Sequence, residues 1–140
     1  MGERILIDTG PMVAIFSADD EHHARCGDAL TALAPPFFTC WPAITEAAWL
    51  LRKRPDTLAR LFAGFNDGFL ALLPLDADDL TIIATWMRRY ESIGLQLADA
   101  ALAHLAEREG IRTVFTIDRR DFSIIRLKRN RTLRLIPDIP

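Results

Sequence analysis

The chain is 140 residues long and half hydrophobic, with 17 Lys and Arg against 19 Asp and Glu. That length and apolar content suit a single domain over residues 1–140 whose core needs no disulfide or structural-metal staple. No apolar run is long enough to span a bilayer, no signal-peptide h-region opens the chain, and Leu6 stands where a myristoylation signal wants Ser or Thr, so the expectation is a soluble, cytoplasmic protein.

Ile5-Leu6-Ile7, bounded by Gly10-Pro11, reads as a strand buried on both faces, as the centre of a parallel sheet requires. It stops at Asp8. In open α/β sheets ligands bind outside the strand C-termini where the strand order reverses, which makes Asp8 a site candidate; a turn Asp capping the next helix is the alternative. Residues 11–18 read as a short apolar helix, and Asp19, Asp20 and Glu21 supply cap and first-turn charge for a second, from His22 to Leu33, that buries Cys26. His22 and His23 are adjacent, so on a helix they point about 100° apart and read as solvated side chains rather than a shared metal site. Cys26 and Cys40 form no C-x-x-C pair and have no ligand-spaced His, which fits buried free thiols in a reducing compartment.

Pro35-Pro36 ends the second helix, and residues 37–40 read as a second strand. Pro42 suits the first turn of a helix running from Ala43 to Arg52, in which Glu46 is flanked by Ile44, Ala47, Ala48, Trp49, Leu50 and Leu51. A carboxylate in so apolar a helix is costly to bury without a partner; complementing the helix dipole from an exposed face is the alternative. Asp56 opens a further helix ending near Asn66-Asp67-Gly68, residues 69–73 read as a third strand, and Asp76, Asp78 and Asp79 read as the capped first turn of a helix ending near Tyr90. Gly94 breaks the chain, and residues 97–109 form an Ala-rich helix stopped by Gly110, with Asp99 near its start among small residues.

Residues 112–117 read as a fourth strand that also ends on an acid, Asp118, with Asp121 three residues on. Residues 123–127 and 132–136 read as final strand-like pieces around the basic turn Lys128-Arg129-Asn130-Arg131. Charge is lopsided: residues 1–111 hold 9 Lys/Arg against 16 Asp/Glu, and residues 112–140 hold 8 against 3. A basic last quarter fits a polyanion or an acidic partner, or is simply solvated.

The element order β-α-α-β-α-α-β-α-α-β argues for an α/β fold, a mainly parallel sheet of four or five strands flanked by helices. Such a sheet lets Asp8, Glu46, Asp99 and Asp118 meet. Clustered carboxylates repel and raise one another's pKa, which is tolerated chiefly where a divalent cation neutralises them; oxygen-only donors favour Mg²⁺ or Mn²⁺, ions that serve phosphate chemistry.

Four stretches together carry a resemblance: Ile5-Leu6-Ile7-Asp8-Thr9, Thr45-Glu46, Leu97-Ala98-Asp99-Ala100-Ala101-Leu102, and Thr116-Ile117-Asp118-Arg119-Arg120-Asp121-Phe122. The chain resembles the PIN domain, and within it the VapC toxins of type II toxin–antitoxin systems, over nearly its whole length and with the acids in matching order. The resemblance implies a PIN-like α/β/α sandwich and a Mg²⁺- or Mn²⁺-dependent endoribonuclease. It implies Asp8, Glu46, Asp99 and Asp118 as the catalytic acids, with Asp8, Asp99 and Asp118 on the metal and Thr9, Thr116 and Asp121 in support. Where the family often has Ser two residues after its first acid, this chain has Gly10. A homodimer and a VapB-like antitoxin whose C-terminal segment enters the acidic groove are implied as partners. Arg119, Arg120, Arg126, Lys128, Arg129 and Arg131 are the candidates for holding RNA phosphates.

Asp8-Thr9-Gly10 also mimics the D-T-G of aspartic proteases, but that site needs an all-β setting that the helical patterns deny. A haloacid-dehalogenase-type phosphatase would want a second Asp at position 10. The remaining alternatives are a stand-alone RNA-processing PIN nuclease and a non-catalytic PIN-fold module that binds RNA or protein.

Overall fold

The fully apolar tripeptide Ile5–Ile7 forms β1, and its three side chains are buried. In the computed structural model, which describes residues 2–138, β1 is the middle strand of a five-stranded sheet. Met1 and residues 139–140 of the expected 1–140 domain lie outside the described residues. With β2 (Phe37–Thr39), β3 (Leu70–Leu72), β4 (Thr113–Phe115) and β7 (Arg134–Ile136), the strand order is β3-β2-β1-β4-β7, and every pairing is parallel. The chain builds outward from β1 to β3 and then returns to lay β4 on the other side of β1. The order therefore reverses between β1 and β4, and the crevice beyond their C-terminal ends is where such a sheet offers a ligand site.

Helices fill the connections: α1 (Thr9–Phe16), α2 (His23–Leu30), α3 (Trp41–Leu50), α4 (Pro55–Ala63), α5 (Ala77–Arg89), α6 (Leu97–Glu109) and α7 (Arg119–Ile124). This is the expected α/β architecture with a parallel central sheet. α1 packs on α2, α3 and α4, and α6 packs on α3 and α5. Ala98, Ala100, Ala101, Ala103 and Ala106 are buried on α6, and such small side chains let neighbouring elements come close. Gly110 ends the helix in the left-handed region (φ 67°), where it has no Cβ to strain. Phe37 meets Phe69 and Phe115 edge to face, at centroid distances of 5.3 and 6.1 Å. Cys26 and Cys40 are free and buried, and burial pushes their thiols up to about 11 and about 12, so both stay protonated and unreactive at neutral pH. Among the described residues no helix is long and apolar enough to cross a membrane.

The α5–α6 pair shows more than the capping expected of its acids. Asp76 caps α5 by accepting from the Asp78 and Asp79 N–H groups, and Asp79 returns the bond by accepting from the Asp76 N–H at 2.9 Å. Buried Asp79 also meets His104 Nε2 at 2.6 Å and Arg108 at 3.2 Å, which ties α5 to α6. The Asp76 N–H, then His104 and Arg108, hold the Asp79 carboxyl well below the usual carboxylate range.

Two stretches differ from the sequence reading. Residues 123–124 lie in α7, not in a strand: Phe122 anchors the short helix in the core, and the Arg126 guanidinium donates to the Ser123, Ile124 and Ile125 carbonyls at its end. The expected last strand splits at Leu133. Arg131–Thr132 (β6) pairs antiparallel with Arg126–Leu127 (β5) as a small hairpin, while Arg134–Ile136 joins the main sheet as its fifth strand. Helix starts also move: α1 begins at Thr9 because Asp8 itself is its cap, and α3 begins at Trp41 with Pro42 in its first turn.

Candidate active site

The register Ile7↔Phe115 sets the ends of β1 and β4 side by side. Asp8 leaves β1 with its N–H donating to the Phe115 carbonyl at 2.9 Å, and Thr116 leaves β4 beside it. Both oxygens of buried Asp8 are engaged. Oδ1 accepts from the Thr9 N–H at 2.8 Å, and Oδ2 accepts from the Thr116 hydroxyl at 2.9 Å, a hydroxyl that also lies 3.2 Å from the Asp118 carbonyl. Asp8 is thus a helix cap and a cavity wall at once. The Thr9 hydroxyl donates to the Ala43 carbonyl at 3.0 Å and lies 3.3 Å from Glu46 Oε2, linking α1 to the middle of α3, where Glu46 sits exposed.

A cavity of about 370 Å³ opens over these strand ends. Asp8, Thr9, Gly10, Glu46, Asp99, Asp118 and Asp121 line it, together with His22, Leu50, Gln96 and Ile117. Asp99 comes from the first turn of α6, Asp118 immediately precedes α7, and Asp121 lies in the first turn of α7. Five carboxylates from four segments share one cavity, and among the described residues no Lys or Arg lines it. A Cβ added at Gly10 would meet Ile117 Cδ1 at 3.4 Å, an ordinary contact, so packing does not require glycine there.

The electrostatics follow from that arrangement. Burial pushes the Asp8 carboxyl up to about 6, against the lowering pull of its two hydrogen bonds, and Glu46 and Asp118 add to the rise. Burial, then the charges of Asp8, Asp121, Asp118 and Glu46, push Asp99 up to about 8. Asp121 Oδ1 is buried without a hydrogen-bond partner, with Arg120 Nε 3.6 Å away. Among the described residues no three acidic, imidazole or thiol groups stand close enough to grip one bare ion. Acids held apart, one of them with a buried oxygen that accepts no hydrogen bond, fit a cation that keeps part of its water shell, as Mg²⁺ does.

None of the six basic residues singled out for RNA lines the cavity. Arg119 donates to the Leu135 and Pro137 carbonyls, and Arg126 caps α7. Lys128, Arg129 and Arg131 lie on the hairpin by the far end of α6, where the Lys128 N–H donates to Glu107. Arg120 alone is placed beside an acid of the cavity. His22 is not simply solvated, since it lines the cavity, and His23 Nδ1 lies 2.7 Å from the Ala14 carbonyl, a bond that fastens α2 to α1. Sequence reasoning missed His22 and Gln96, both of which stand just before helices and carry no periodic or charge signal.

Comparison with known proteins agrees with this geometry. The family description "PIN domain" matches residues 5–128. Ribonuclease VapC26 of Mycobacterium tuberculosis is 28% identical over 124 residues, covering 87% of this chain and 92% of the relative. The crystal structure of Mycobacterium tuberculosis VapC20, a Sarcin-Ricin loop cleaving toxin, superposes with a TM-score of 0.71 at 19% identity, over 79% of this chain and 86% of that one. With the family matched over most of its length and the acids gathered where β1 and β4 part, the chain belongs to the PIN domain family and is VapC-like within it.

Proposed function

We propose that this chain is a Mg²⁺- or Mn²⁺-dependent endoribonuclease and the toxin of a VapBC-type pair. The observation that carries the reading is the convergence of Asp8, Glu46, Asp99, Asp118 and Asp121 on one cavity at the reversal of strand order; the names of the VapC relatives support ribonuclease as the activity. Asp8, Asp99 and Asp118 would hold the cation, which when bound supplies polarisation of a phosphoryl oxygen and a more acidic water. Thr116 fixes the Asp8 carboxylate through Oδ2, so that acid presents its oxygens to the cavity at little ordering cost. Glu46, an exposed acid of the cavity that lies 3.3 Å from the Thr9 hydroxyl, accepts the proton that the attacking water releases. Asp121, whose Oδ1 accepts no hydrogen bond, completes the wall with Arg120 3.6 Å away.

RNA is the substrate, and a VapB-like antitoxin whose segment covers the acidic groove is the inhibitory partner. A homodimer is supported by the exposed apolar face on α3 and the start of α6, where Trp41, Pro42, Trp49, Leu97 and Ala98 line a groove of about 530 Å³. The test is cleavage of RNA by the purified chain with Mg²⁺, Mn²⁺ or chelator, beside Asp8→Asn and Asp118→Asn. Cation-dependent cutting lost in both variants supports the reading, and equal cutting by all three proteins overturns it. Growth arrest on induction, relieved by the product of an adjacent small gene, separates a toxin from a stand-alone processing enzyme.

A further inference from the structure

The loop between α1 and α2 is fastened at three points that have nothing to do with the acids. The Ser17 hydroxyl donates to Asp19 at 3.0 Å, Asp19 holds the Arg54 guanidinium at the α3–α4 junction at 2.6 Å, and His23 bonds the Ala14 carbonyl. Asp20 adds a fourth hold by accepting from the His22 N–H at 2.8 Å. The product of all this fastening is one side chain at the cavity, the His22 imidazole, 33% exposed and half turned from solvent. Its Nε2 lies 3.4 Å from Glu21 Oε1, a carboxylate that is itself 86% exposed and free to swing away.

A cavity walled by Asp8, Glu46, Asp99, Asp118 and Asp121 has acceptors in excess and few donors. A phosphodiester brings only acceptors on its non-bridging oxygens, so it gains most from an N–H donor on the wall. Among the described residues the side-chain nitrogen donors that line the cavity are His22 and the Gln96 amide, and Gln96 already lies 3.4 Å from the Gly94 carbonyl. At either tautomer an imidazole carries one N–H. We infer that His22 is a substrate-contacting residue that donates its imidazole N–H to a non-bridging oxygen of the RNA phosphate seated in the acidic cavity, holding the substrate there. The inference rests on the ribonuclease reading above and adds to it a residue outside the acidic set. It also gives the lopsided cavity a side: the phosphate enters with one edge against α2 and the other against the carboxylates.

The test uses an RNA that the wild-type chain cuts, with steady-state kinetics in Mg²⁺ for wild type, His22→Ala and His22→Gln. A bond from N–H to a charged oxygen is worth about 10–100-fold, so His22→Ala should raise KM by about that factor. The change in kcat should stay within about threefold, because the bond is made by bound substrate and transition state alike. His22→Gln, whose amide also donates, should recover most of the loss. Melting temperature, and its rise on adding Mg²⁺, should match wild type in both variants, a readout independent of cleavage. Unchanged KM in His22→Ala overturns the inference, as does equal loss in the Ala and Gln variants. Loss of the Mg²⁺ response in His22→Ala overturns it too, by assigning His22 to cation binding. If wild type cuts no RNA above the Asp8→Asn background, the ribonuclease reading itself fails, which is a different result from a cutting enzyme indifferent to His22.

Discussion

Replacing Asp8 by Asn separates a site acid from a helix cap. Asp8 is buried at the end of the central strand, and its carboxyl is pushed up from 3.8 to about 6, so keeping it ionised at pH 7 costs the cation-free fold about 3 kcal/mol. Asn removes that cost while its Oδ1 still accepts from the Thr9 N–H. What it gives up is the acceptor for the Thr116 hydroxyl, about 1 kcal/mol, softened because that hydroxyl can turn to the Asp118 carbonyl 3.2 Å away. The balance favours the variant by about 1–2 kcal/mol, a rise in melting temperature of about 3–8 °C for a domain this size. The sign also fixes a pH signature. The folded chain keeps a proton on Asp8 that the unfolded chain has lost, so wild type in chelator loses stability as pH climbs from about 4 through about 6, and Asp8→Asn flattens that fall. Mg²⁺ at ten times its dissociation constant should return about 1.4 kcal/mol to wild type and far less to the variant. Melting curves in chelator and in Mg²⁺ at pH 5.5 and 7.5 read all of this, beside an RNA cleavage assay in which the variant falls by orders of magnitude. If Asp8 were only a cap, the variant would melt at or below wild type in chelator, both would respond equally to Mg²⁺, and cleavage would survive.

Neutralising Lys128 and Arg129 together on the hairpin should weaken RNA binding and flatten its salt slope by about 0.7–0.9 for each phosphate no longer neutralised, with the melting temperature unchanged; unaltered affinity in fluorescence anisotropy assigns the hairpin to another role. Arg119→Gln should instead lower the melting temperature, because its guanidinium holds the Leu135 and Pro137 carbonyls. If the exposed face of α3 carries the proposed homodimer, Trp49→Glu, on a side chain 63% exposed, should lower the sedimenting mass from dimer to monomer while leaving the monomer folded, and a dimer that persists in the variant moves the interface elsewhere. Asp79→Asn should lower stability at pH 6 yet lose less of it on acidification, since a carboxylate held low stabilises the fold above the usual carboxylate range and that part vanishes as pH falls below it; parallel pH profiles of wild type and variant in urea unfolding refute the Asp79–His104–Arg108 account.

The parts of the fold written in short-range chemistry were legible in the residues. Ile5–Ile7 is apolar at every position because both its faces are covered, and residues 97–109 end where Gly110 takes a left-handed turn that other residues resist. The α7 segment was not, because its signals conflict: Ile124 and Ile125 fall in the run 123–127 that reads as a strand, and what makes 119–124 helical is the seating of Phe122 in the core and the Arg126 guanidinium on the last carbonyls. The hairpin and the fifth strand share one basic run, and only pairing across the fold tells Arg131–Thr132 from Arg134–Ile136. At the site, Asp8, Glu46, Asp99 and Asp118 could be picked out because each interrupts or ends an apolar run. His22 could not, because its place at the cavity depends on the Asp19–Arg54 pair and the His23–Ala14 bond, which join residues 35 and 9 positions apart.

The same fold treats its buried carboxylates in two opposite ways, and the contrast separates structure from chemistry. Asp79 receives the Asp76 N–H, His104 and Arg108, and is held low; Asp8 and Asp99 receive no protein cation and are held high. Cations were within reach. Arg120 stands 3.6 Å from Asp121, and Arg119, on the same short helix, is turned to the carbonyls of the last strand. An arginine turned inward would relieve the repulsion and stabilise the fold, but it would also compete with a divalent ion for the same oxygens and then stay as a fixed charge. On the cation-dependent reading proposed above, leaving the wall acidic keeps the site open to an ion from solution, which can arrive with its water and leave again. His22 is the side chain that fits this distribution of charge: a donor able to meet a phosphate at the rim without standing among the carboxylates as a permanent counter-ion.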